Sequence, residues 1–134
     1  MSGKFPVLGF DIGGTKVAVC LATSDGKIIG HGRVDNKNRH PDEVLPEMVK
    51  VGRGLIADAG MKASDVVALG IGSPAPHDIP NGLITTPTNM KKWVNVPIRD
   101  YLRDSFGIEA YMENDANAGA LAEWFFGAGK KVRN

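Results

Sequence analysis

Asp11-Ile12-Gly13-Gly14-Thr15-Lys16 stands directly behind the apolar stretch Val7-Leu8-Gly9-Phe10, which places a carboxylate and a glycine turn at the end of a buried strand. That is the chemistry of a Mg-nucleotide phosphate site. Two adjacent glycines allow a turn with positive φ and present bare N–H groups to an anion. Asp11 can hold a metal or its water, and Thr15 and Lys16 can reach phosphate oxygens. The same six residues also fit a plain tight hairpin, with Gly13-Gly14 as the turn and Asp11 as its hydrogen-bonding shoulder. A Walker loop does not fit: Thr15 precedes Lys16, and a strand rather than a helix follows. The dinucleotide-like spacing at Gly70-Ile71-Gly72-Ser73-Pro74-Ala75 is set aside as well, because Pro74 and Pro76 oppose a helix opening there.

A second group with chemical potential is Asn114-Asp115, between a short apolar run and a helical pattern. An aspartate in the first turn of a helix sits at the positive end of the macrodipole, which favours its ionised, proton-accepting form. Either residue also serves as a simple helix cap. Asn89, behind Pro87 and Thr88, offers donors and an acceptor to a polar ligand, and equally suits a turn.

The elements that must position these groups follow from periodicity. Val7–Phe10, Val17–Ala22 and Lys27–Val34 read as three strands of an antiparallel meander, the last two joined across Ser24-Asp25-Gly26. Pro41, Asp42 and Glu43 open a helix whose stripe Val44, Leu45, Met48, Val51, Leu55 and Ile56 ends near Gly60; Pro46 is an alternative first turn. Val66–Ile71 reads as a buried strand reached by a helical crossover, and the Pro/Gly/Asn-rich residues 73–95 as an irregular binding loop. Ile98, Leu102 and Phe106 give a short helix between Pro97 and Gly107, Ile108–Met112 a further strand, and Ala116–Phe126 a last helix. Both Asp11 and Asn114-Asp115 thus fall beyond strand carboxyl ends, where open α/β sheets bind ligands.

Composition sets bounds. The chain has 134 residues, 43% apolar and 23% charged, enough for one domain with a real core. Sixteen basic and fifteen acidic residues leave a formal charge of +1, which favours neither nucleic acid nor an anionic membrane as partner. No signal peptide and no run approaching about 18 apolar residues is seen, so a cytoplasmic protein is expected. Cys20, the lone cysteine, stands among Val17, Ala18, Val19 and Leu21 and reads as a small core residue. His31, His40 and His77 have no ligand spacing and read as surface or loop residues; Trp93 either lines a ligand site or anchors a loop.

Taken together, Asp11–Lys16, Gly70–Pro74, Pro87-Thr88-Asn89 followed by Trp93, and Glu113–Ala118 running into Leu121-Ala122-Glu123 and Gly127–Lys130 resemble the N-terminal lobe of a ROK-family sugar kinase. Among relatives, the Asn89–Trp93 and Glu113–Lys130 segments look most similar to bacterial glucokinases. The resemblance covers almost the whole chain and implies a ribonuclease-H-like lobe of the actin-like ATPase superfamily: an α/β fold with a mixed five-stranded sheet and element order β-β-β-α-β-α-β-α.

It further implies that the intact protein phosphorylates a hexose with ATP and Mg, most readily glucose. Asp115 then matches the catalytic base that deprotonates the attacking hydroxyl, a role worth about 10²–10⁴-fold. Asn89 and Asn114, with Thr88 and Ala75, match sugar-pocket positions. Gly13, Gly14, Thr15 and Lys16 match the nucleotide-phosphate loop, and Asp11 the position that engages Mg through water. Glu113 and Glu123 remain unassigned.

Two residues depart from the family pattern: Ala75 stands where a glycine is usual, and Lys131 where one is common. Residues 1–134 correspond to one lobe; the second, which carries the adenosine site, more sugar ligands and in many members a structural zinc, has no counterpart here. A lobe alone is expected to be nearly inactive, and the intact protein to be a homodimer. A sugar-binding non-catalytic fragment and a sugar-responsive regulator without its DNA-binding domain are the competing readings, and the ten residues before Asp11 are too few for such a domain.

Overall fold

The computed structural model describes residues 5–74 and 76–114. Three strands open the chain: β1 (Pro6–Ile12), β2 (Lys16–Thr23) and β3 (Ile28–Asp35). β1 pairs antiparallel with β2 from Pro6↔Thr23 to Ile12↔Val17, and β2 antiparallel with β3 from Lys16↔Asp35 to Ala22↔Ile28. Gly26, at φ 84°, supplies the left-handed residue of the β2–β3 turn, as Ser24-Asp25-Gly26 predicts.

Helix α1 (Pro41–Asp58) follows. His40 caps it by accepting the Asp42 N–H at Nδ1 (3.1 Å), Pro41 occupies the first turn, and Asp42 and Glu43 complement the positive helix end. Pro46 therefore lies inside the helix rather than at its start. Having no N–H, it forgoes the bond to the Asp42 carbonyl one turn earlier.

The crossover strand begins later than the apolar run predicts. Ala63–Asp65 form a 3₁₀ turn, Val66 is buried behind it, Val67 is 44% exposed, and β4 spans Ala68–Ser73. An apolar run cannot show where hydrogen bonding starts. Residues 73–95, expected to be irregular, contain a small hairpin of β5 (His77–Asp78) and β6 (Leu83–Ile84). Helix α2 (Ile98–Phe106) buries Ile98, Leu102 and Phe106 and ends at Gly107, whose φ of 70° places it in the left-handed region while its N–H bonds the Arg103 carbonyl (2.8 Å). β7 (Ala110–Asn114) completes the described chain. The helix expected over 116–126 lies outside the described residues.

The five long strands form one mixed sheet in the order β3-β2-β1-β4-β7, with β4 parallel to both β1 and β7. β1 and β4 are covered on both faces, which is why they read as apolar runs instead of alternating. Leu8, Phe10 and Ile12 turn towards α1 and α2, and each such fully buried side chain contributes about 1.5–3 kcal/mol. Gly52 lets α1 approach closely: a Cβ there would stand 2.9 Å from Phe106 Cζ and 3.0 Å from Leu8 Cδ2. Val7 and Ala22 form a small second cluster on the opposite face, with Cys20 half-buried beside them, and burial pushes the Cys20 thiol pKa up. No helix among the described residues is long and apolar enough to cross a membrane.

Candidate functional site

Among the described residues, the topology brings Asp11, Ser73 and Asn114 to one end of the sheet. β1, β4 and β7 run parallel, so Ile12, Ser73 and Asn114 end at the same side; Asp11 pairs with Gly72, and Gly72 with Glu113. β3 also runs in this direction, two antiparallel steps from β1, and delivers Asn36 to that end. Asp11 is half-buried near the end of β1, while Thr15 and Lys16 are exposed. The loop closes with the Gly13 N–H donating to the Lys16 carbonyl (3.0 Å).

Gly13 and Gly14 are needed for a reason different from the expected one. Neither takes positive φ. They are required by space: a Cβ on Gly13 would stand 2.9 Å from the Lys16 carbonyl oxygen, and one on Gly14 only 2.6 Å from Asn89 Nδ2 and 3.0 Å from the Asn89 carbonyl oxygen. The phosphate-loop candidate and the sugar-loop candidate are therefore packed on each other, with glycine as the spacer.

Asn89 and Thr88 are exposed and border a cavity of about 380 Å³ that Asn36, Arg39, Lys92 and Trp93 also line. A second cavity, about 260 Å³, surrounds Asp11 and the loop through Lys16. Trp93 is 1% exposed and is the loop anchor, although its edge still borders the larger cavity. Lys92 Nζ donates to the Asn38 carbonyl (2.8 Å), tying residues 88–93 to the β3–α1 loop. Arg39 pairs with Glu47, whose hydrogen bond holds the glutamate below its usual pKa and raises that of the guanidinium.

Asn36, which sequence reasoning passed over, joins the Gly13–Thr15 loop to Trp93. It is 2% exposed; its N–H donates to the Thr15 carbonyl (2.8 Å), its Nδ2 to the Gly13 carbonyl (2.7 Å), and its Oδ1 accepts Trp93 Nε1 (3.2 Å). No local signal marks it, since an asparagine just past an edge strand looks like any solvated turn residue. His31 and His40 are exposed, as predicted; His77 is half-buried, its Nδ1 3.1 Å from the Pro74 carbonyl oxygen. Asp115 and Ala75 lie outside the described residues, and for Asn114 the backbone alone is described, opposite Ser73.

The donor set fits a Mg-nucleotide. Among the described residues no three His, Cys, Asp or Glu side chains converge on a point. Mg carried by a nucleotide keeps several waters and needs only one or two protein carboxylates beside the phosphates, and Asp11, half-buried near the end of β1, is a residue of that chemistry.

The profile of the ROK family matches residues 7–134. The chain belongs to the ROK family. A glucokinase of Thermotoga maritima is 35% identical over 130 residues, covering 95% of this chain and 39% of its own length. A xylose repressor of Caldicellulosiruptor bescii is 28% identical over 127 residues, covering 94% of this chain and 32% of its own. Among solved structures, a ROK hexokinase from Thermus thermophilus superposes with TM-score 0.72 at 31% identity, over 91% of this chain and 39% of that one. A ROK glucokinase from Streptomyces griseus in complex with glucose and AMPPNP gives 0.64 at 31% identity, over 92% and 38%. The fold is thus that of ROK sugar kinases, an actin-like ATPase lobe, and the chain spans about two fifths of the Thermotoga protein's length.

Proposed function

We propose that the intact protein is an ATP-dependent hexose kinase acting on glucose, with residues 1–134 as its N-terminal lobe supplying the sugar site, the base and the first phosphate loop. The observation that supports this reading best is the close approach of Gly14 to Asn89, because it sets the candidate phosphate loop beside the candidate sugar amide with no side chain between them. Phosphoryl transfer depends on that adjacency: it is mostly positioning and charge stabilisation. The kinase relatives and the AMPPNP-bound neighbour support the same reading.

On this reading Asn89, Asn114, Thr88 and the backbone at Ala75 orient the hexose. Asp115, next in the chain after Asn114, takes the proton of the attacking hydroxyl as the new O–P bond forms and the bond to ADP breaks. Gly13, Gly14, Thr15 and Lys16 hold the phosphates. Mg, when bound, supplies charge neutralisation on the phosphates, and Asp11 would hold it through water.

The test is turnover of glucose with MgATP by the intact protein, with Asp115→Asn as the partner experiment. The variant is expected to lose at least about 10²-fold in kcat while glucose affinity is kept. Substantial residual turnover removes the assigned base. The xylose repressor relative favours one other reading, a sugar-responsive regulator. A regulator would bind sugar without any MgATP-dependent product.

A further inference from the structure

Asn36 is buried between two loops that the kinase reading gives to different ligands. Its Nδ2 donates to the Gly13 carbonyl of the phosphate loop, and its Oδ1 accepts the indole N–H of Trp93, at the end of the sugar loop. The two partners fix the amide's orientation, since a carbonyl needs a donor and an indole N–H needs an acceptor. No ordinary side chain of the same size other than an amide satisfies both. The backbone adds a third tie, from the Asn36 N–H to the Thr15 carbonyl. Across the same seam Gly14 touches Asn89, so the loops meet at two places.

We propose that Asn36 is a positioning residue that couples the phosphate loop to the sugar loop, so that nucleotide and hexose each strengthen the other's binding. The physical reason is reciprocity. Ordering residues 13–16 around phosphates holds the Gly13 carbonyl in place, which holds Asn36, which holds Trp93 and the loop bearing Asn89; a ligand arriving second then meets loops already ordered. This inference rests on the kinase reading.

The experiment measures the glucose dissociation constant of the intact protein with and without Mg and a non-hydrolysable ATP analogue. Nucleotide is expected to tighten glucose binding by about tenfold in the wild type, within the usual range of site-to-site coupling. Asn36→Asp keeps the size and the acceptor for Trp93 but loses the donor to Gly13, and should shrink the enhancement to about twofold or less. Trp93→Phe breaks the same link at its other end, and it reads the coupling independently should Asn36→Asp fold poorly. The double variant should lose no more than either single one.

A role confined to stability would lower both affinities and leave their ratio intact, and that result overturns the proposal. A wild type that phosphorylates glucose yet shows no enhancement also overturns it while leaving the kinase reading standing. A folded intact protein that turns over no hexose removes both.

Discussion

Gly14→Ala separates the chemistry of the site from the stability of the fold. The added methyl would lie 2.6 Å from Asn89 Nδ2 and 2.8 Å from its Cγ. Non-bonded heavy atoms rest at about 3.5–4.0 Å, so the amide must retreat by about 1 Å. Asn89 is exposed and its side chain can swing, but its carbonyl oxygen, 3.0 Å from the same methyl, forces part of the shift onto the loop. Crowding of this kind costs about 1–3 kcal/mol. The φ of Gly14 is not positive, so alanine adds no left-handed strain, and its narrower unfolded ensemble returns about 0.4–1 kcal/mol. The net loss is about 1 kcal/mol, a fall in Tm of about 2–4 °C. Catalysis should suffer more, because a displacement of about 1 Å in a positioning group costs about 10²-fold. The assay is kcat/KM for glucose with MgATP on the intact protein, beside a thermal melt. A kcat/KM within about threefold of wild type refutes the reasoning, since Asn89 would then not depend on the gap that Gly14 leaves.

Gly54 is the contrasting glycine: a Cβ there meets nothing within 4 Å, on an exposed turn inside α1. Gly54→Ala should stabilise the protein by about 0.5–1 kcal/mol, read as a raised denaturation midpoint, and a lowered midpoint would contradict the open space. Cys20 should be alkylated by iodoacetamide more slowly than a free thiol near pH 8, because burial raises its pKa. Its folded-state pKa lies above the unfolded one, so its contribution to stability is complete below the unfolded value and is lost as pH rises through the folded one. A rate equal to that of glutathione would show the thiol to be open to solvent.

The apolar runs of β1 and β2, the Gly107 stop of α2 and the placement of Asp11 at a strand end are legible in the sequence because each rests on local periodicity or a residue with one conformational use. Long-range geometry is not. The need for glycine at position 14 comes from Asn89, and the importance of Asn36 from Trp93, both far along the chain. Val66 and Val67 misled for a related reason: the Val67 N–H bonds the Pro6 carbonyl (2.9 Å) without continuing the ladder, and only the pairing partner reveals that β4 starts at Ala68. The start of α1 at Pro41 is legible, but the His40 cap that settles it against the alternative start at Pro46 is not.

The bond between Asn36 and Trp93 also bears on how the protein is born. The three-strand meander and its glycine loop can form from neighbouring segments, whereas the pairing of Val7 with Ala68 and the seating of Trp93 require chain that emerges from the ribosome much later. Contacts so distant in sequence form slowly, because the intervening loop must close first. Until Trp93 arrives, Asn36 Oδ1 is served by water and residues 13–16 have no Asn89–Trp93 segment packed against them. A nascent chain therefore acquires the glycine loop at residues 13–16 before the Asn89–Trp93 segment that packs on it, and the joined site waits on that later segment.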